Sequence, residues 1–113
     1  MEYLRPRVLV IDPDPAIRAL LAAVVRRDGF DSDSAATAEE ARWHTRDAQY
    51  DAVILEPRMR GGEALLHELP AGKVIVASSS AAYGACEVAA VLRKPFLIDE
   101  LALALEACCA THA

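Results

Sequence analysis

Four runs of consecutive apolar residues, each closing on a group that can carry charge or make a hydrogen bond, constrain this chain most. Val8-Leu9-Val10-Ile11 runs into Asp12, and Ala52-Val53-Ile54-Leu55 runs into Glu56. Val74-Ile75-Val76-Ala77 runs into Ser78, and a run over Val88 to Leu92 leads to Lys94. None shows the apolar/polar alternation of a half-exposed strand, so each reads as a strand covered on both faces, as in a parallel sheet. A fifth strand, Phe30 to Ser34, is more polar and reads as an edge or short strand.

Helical patterns fill the gaps. Asp14-Pro15 reads as an N-cap with Pro at the first helical position. Ile17, Leu20, Leu21, Val24 and Val25 then recur at helical spacing, and Gly29 stands where the helix stops. Thr37-Ala38-Glu39-Glu40 matches a capping box and opens a second helix to about Asp47. Gly61-Gly62 precede a short helix through Leu69, and Asp99 caps a last helix carrying Leu101, Ala104, Leu105 and Cys108 on one face. Short connections between alternating strands and helices force parallel strands with right-handed crossovers and helices on both sheet faces. Such sheets bind ligands at the carboxyl ends of their strands. Here those ends gather Asp12, Glu56, Ser78 and Lys94, a phosphate or metal constellation.

Composition narrows the function classes. The 113 residues suit a single domain spanning 1–113, and 54% apolar with 26% charged residues excludes a disordered chain. No apolar run approaches the roughly 18 residues of a membrane span, and Met1 to Arg7 lacks an apolar signal core. A net charge of −5 argues against binding to nucleic acid or to an anionic membrane. Cys86, Cys108 and Cys109 are odd in number and two are adjacent, which argues against a disulfide framework and for a reducing cytoplasm.

In this order the motifs resemble the receiver domain of bacterial two-component response regulators. Val8 to Arg18 looks like the family's opening strand, acids and first helix; Tyr50 to Glu56 looks like the strand that ends in the phosphorylated Asp. Val74 to Ser78 looks like the strand with its hydroxyl residue, Lys94-Pro95-Phe96 matches the Lys-Pro-Phe motif, and Asp99-Glu100-Leu101 matches the start of the last helix. The resemblance covers essentially the whole chain. It implies a flavodoxin-like, doubly wound five-stranded parallel sheet in the order 2-1-3-4-5 and a cis Lys94–Pro95 bond. It further implies phosphoryl transfer to a carboxylate, a divalent cation held by neighbouring acids, and acyl-phosphate binding by Ser78 and Lys94.

The sequence departs from that pattern at its centre. Glu56 occupies the phosphoacceptor position, and Pro13 replaces the second acid beside the remnant metal ligand Asp12. A backbone carbonyl at Arg58 remains available to a metal, while its guanidinium either supplies positive charge to the site or points to solvent. Arg60 stands where a Pro is usual, and Val91 stands where an aromatic is common. Only sixteen positions separate Ser78 from Lys94, so a shortened or irregular fourth helix is expected.

These departures define the expectation: a degenerate receiver, acting in phosphorelay signalling as an interaction module without aspartyl phosphorylation. It is expected to be no enzyme, to need no cofactor beyond weak Mg²⁺, and to meet a sensor kinase or output protein. A homodimer through the last strand and last helix is also expected, without nucleic-acid or membrane binding. The alternative is a working phospho-acceptor served by a histidine kinase with Mg²⁺. A flavodoxin-like cofactor binder is disfavoured, because the loop after the first strand lacks a Gly- or Ser/Thr-rich phosphate cradle. Glu56 either imitates a phosphorylated Asp or pairs with Lys94, and the two are compatible. Trp43, off the helix-two stripe, is expected to be partly buried; His44 and His67 have no metal-ligand spacing; Cys108 and Cys109 read as helix packing.

Overall fold

The computed structural model describes residues 5–109. Strands β1 (Arg7–Ile11), β2 (Asp31–Ala35), β3 (Ala52–Leu55), β4 (Val74–Ser78) and β5 (Ala90–Arg93) form one sheet. Its order is β2-β1-β3-β4-β5 and every pairing is parallel, as expected. Helices α1 (Pro15–Arg27), α2 (Ala38–Asp47), α3 (Gly62–Glu68) and α4 (Ile98–Cys109) complete the two outer layers.

The unbroken apolar runs explain the layering. Successive side chains of a strand face opposite ways, so Val8 and Val10 pack with Leu21, Val24 and Val25 of α1 and Leu101 and Leu105 of α4. Leu9 and Ile11 turn to the other layer, against Ala38 and Ala41 of α2 and Leu65 of α3. Ile54 and Ile75 join the first layer, and Val53, Leu55, Val74 and Val76 the second. Burying each such side chain is worth about 1.5–3 kcal/mol. That is why both faces need apolar residues, and why the polar strand β2 lies at an edge.

Local signals set the boundaries. The Asp14 carboxylate accepts from the Ala16 and Ile17 amides and caps α1. Gly29 follows its end with φ of 96°, a left-handed conformation that costs glycine little. Thr37 Oγ1 accepts from the Glu40 amide at the start of α2. Gly62 begins α3 so close to Pro57 that a Cβ would stand 2.5 Å from the Pro57 carbonyl oxygen.

Several expectations need correction. Regular pairing of β5 starts at Ala90, not Val88, because the Ala89 amide is shared between the Ala71 and Val74 carbonyls. The last helix begins at Ile98, with Asp99 inside its first turn; Glu100 Oε1 accepts from the Leu97 amide and does the capping. Leu20 leaves the buried stripe of α1 and is 58% exposed. Trp43 is equally exposed, edge-on to His44, where partial burial under a long side chain was expected. The fourth helix of the receiver pattern is reduced to a single 3₁₀ turn, Ala81–Tyr83, in line with the short Ser78-to-Lys94 spacing.

Candidate functional site

The sheet ladder continues one residue past three strands and aims the candidate side chains. The Asp12 amide donates to the Ala35 carbonyl, the Glu56 amide to Ile11, and the Lys94 amide to Ser78. Asp12, Glu56, Ser78 and Lys94 therefore stand together at the carboxyl edge of the sheet. The Lys94–Pro95 bond is cis.

Lys94 Nζ lies 2.6 Å from Asp12 Oδ2 and 3.2 Å from Glu56 Oε1, bridging the two carboxylates. All three side chains are largely enclosed, at 15%, 3% and 11% exposure for Lys94, Asp12 and Glu56. The other carboxylate oxygens are also engaged. Asp12 Oδ1 accepts from the Asp14 amide, across Pro13, and Glu56 Oε2 accepts from the Arg58 amide. A buried charge is tolerated when it is paired and hydrogen-bonded, and here each is both.

Arg58 is exposed, as one of the two expectations for its guanidinium had it. Its backbone amide meets Glu56, while its guanidinium reaches Ser80 Oγ at 3.4 Å. Ser78 is buried, and its hydroxyl accepts from the Ser80 amide. Asp14 caps α1 and leaves the replacement of the missing acid unfilled. Pro13 is exposed and offers no side-chain oxygen.

These residues fit a divalent cation poorly. Mg²⁺ demands near-octahedral oxygen coordination. Among the described residues no group of three or more His, Cys, Asp or Glu is placed to hold a metal ion, and Asp12 and Glu56 share the Lys94 ammonium instead.

Sequence reasoning missed two features. Arg18 Nη1 donates to the Asp12 carbonyl at 2.8 Å, locking the end of β1; its place one turn into α1 was the available signal. An open cleft of about 570 Å³ runs from Asp12, Glu56 and Lys94 between α1 and α4, along Leu20, Leu21, Phe96, Ile98 and Leu101. Its walls come from distant segments, which no local motif announces.

A five-stranded sheet in this order, with acids, a hydroxyl and a Lys at its carboxyl edge, defines the receiver architecture. No protein-family model matches the chain. It is 33% identical over 61 residues, 54% of its length, to the DNA-binding response regulator MtrA of Mycolicibacterium smegmatis. The chain spans 27% of the length of the curated relatives it matches. Among solved structures, a sensor protein from Polaromonas sp. JS666 superposes with a TM-score of 0.83 at 26% identity, covering 97% of this chain and all of that one. Response regulator TrrA of Thermotoga maritima, in complex with Mg²⁺ and BeF, gives 0.78 at 27% identity over 91% of this chain and 98% of its own. Relatives and structural neighbours together support a response-regulator receiver domain of two-component signalling. Among the described residues no helix is long and apolar enough to cross a membrane.

Proposed function

We propose that this chain is a degenerate receiver, a signalling module that works by protein contact rather than by aspartyl phosphorylation. One observation carries the reading: Lys94 ties Asp12 to Glu56, so the site's own ammonium stands between the carboxylates that a metal would otherwise bridge and offsets one of them. Pro13 withholds one hard oxygen ligand, and Glu56 sets its carboxylate a methylene beyond an Asp. Misplacement of about 1 Å can cost about 10²-fold in rate, and phosphoryl transfer depends almost wholly on positioning and charge compensation. The module is accordingly a binding partner of a sensor kinase or output protein, not an enzyme. Its contact face is the one built by β5 and α4, where Leu103 stands exposed; a second copy is a further candidate for the same face.

The rival reading, a phospho-acceptor, draws on Ser78 and Lys94, which occupy the strand ends as in the receiver pattern. The Thermotoga relative in complex with Mg²⁺ and BeF supplies the discriminating probe. Calorimetric titration with Mg²⁺, before and after beryllofluoride, should give no saturable heat below millimolar concentration. Clear binding of both would favour the phospho-acceptor.

A further inference from the structure

We infer that the cleft between α1 and α4 binds small organic cations with an apolar body, such as alkylammonium ions. The volume, about 570 Å³, falls in the range of small-molecule sites, about 300–1,000 Å³, and is open to solvent at one side. Its long wall is apolar: Leu20, Leu21, Val24, Phe96, Ile98 and Leu101. Leu20 and Ile98 are left 58% and 43% exposed there, a loss that a ligand's hydrocarbon would recover.

The polar end decides the charge of the ligand. It presents Asp12, Asp14 and Glu56 against Lys94. Arg18, held on the Asp12 carbonyl and outside the cleft's lining, offsets one more acid. The balance stays at one negative charge, so an anionic head is repelled and a cationic one is attracted. Lys94 already shows what the carboxylates accept, since its own ammonium bonds to both Asp12 and Glu56. A second ammonium at the mouth needs only their remaining lone pairs and those of Asp14, not the octahedral ligand set of a metal. The inference does not depend on whether Glu56 is phosphorylated, because the unmodified site supplies the charge.

The test is a titration of the ¹⁵N-labelled protein with octylammonium, octyl sulfate and methylammonium, followed by amide chemical shifts. Octylammonium should saturate, with shifts confined to Leu20, Leu21, Ile98, Leu101 and Lys94. Octyl sulfate, with the same tail, and methylammonium, with the same head, should each bind at least about tenfold more weakly. Leu20→Lys, on an exposed position that tolerates a charge, should reduce octylammonium affinity by at least about tenfold by like-charge repulsion. Trp43→Lys, as exposed as Leu20 but on α2 in the other layer, should leave it unchanged. Equal binding of octyl sulfate, scattered shifts, or octylammonium binding unaffected by Leu20→Lys would each overturn the assignment.

Discussion

The Lys94 ammonium lies 2.6 Å from the Asp12 carboxylate, although the two residues are 82 positions apart in the chain. The contact joins the end of the inner strand β1 to that of the edge strand β5 and places one charge of each sign where little water reaches. Its net worth is set by what happens when one partner is removed. Lys94→Met should destabilise the protein by about 3–5 kcal/mol in urea unfolding, because Asp12 is left buried and unpaired. Adding Asp12→Asn should recover part of that loss, and adding Glu56→Gln as well should recover most of it, since Lys94 pairs with both carboxylates. A triple variant no more stable than Lys94→Met would show that Lys94 contributes by packing instead.

Gly62 is the most tightly enclosed glycine among the described residues. A Cβ there would meet the Pro57 carbonyl oxygen at 2.5 Å, carbonyl carbon at 2.7 Å and Met59 Cγ at 2.9 Å. Backbone cannot swing aside as a side-chain tip can, so Gly62→Ala should cost about 1–3 kcal/mol, as overpacking does. Gly72→Ala, where a Cβ meets nothing within 4 Å, is the control and should be nearly neutral. Equal midpoints in urea for the two variants would contradict this.

At the opposite end of the sheet, Asp33 accepts from the Tyr50 hydroxyl and from Arg7 Nη2, both at 2.7 Å. The Tyr50 hydrogen bond, with help from Arg7, holds the Asp33 carboxyl below its ordinary value of 3.8. A depressed carboxylate contributes stability above its unfolded value and loses it as pH falls through the folded one. Asp33→Asn should therefore destabilise the protein at pH 7, and the gap to the unaltered chain should close below about pH 4. A gap that stays constant down to pH 2 would assign the effect to something other than this carboxylate.

The two adjacent cysteines of α4 should be slow to react. Cys108 is buried and burial pushes its thiol up; burial likewise raises Cys109 to about 11. The thiolate is the nucleophile and must also be reachable, so alkylation near pH 8 followed by peptide mass mapping should label Cys108, buried, and Cys109, raised, only slowly in the native protein and readily after unfolding. Rapid labelling of Cys108 in the native protein would contradict the packing of α4.

The fold was largely legible in the sequence, and the reasons are local. Runs such as Val74 to Ala77 must be covered on both faces, and caps such as Asp14 and Thr37 mark helix starts wherever the chain goes. That Asp12, Glu56, Ser78 and Lys94 stand together at one sheet edge was legible too, since each lies at the close of a strand. What stayed hidden depends on which segments meet. Leu20 fits the helical stripe yet lies at the rim of a cleft, because α4 does not extend over it. Trp43 fits a partly buried position, but no long side chain covers it. Arg58 is set by Ser80, twenty-two residues on, and Arg18 by a carbonyl, an acceptor that every residue carries.

The central claim is that Glu56, bridged by Lys94 to Asp12, does not take up phosphate. Intact mass measured after incubation with acetyl phosphate and Mg²⁺ tests it most directly. The account predicts an unchanged mass for the native chain. It also predicts that Pro13→Asp combined with Glu56→Asp regains Mg²⁺ binding before it regains phosphorylation. A gain of one phosphoryl mass on the native chain, mapped to Glu56, would contradict the account.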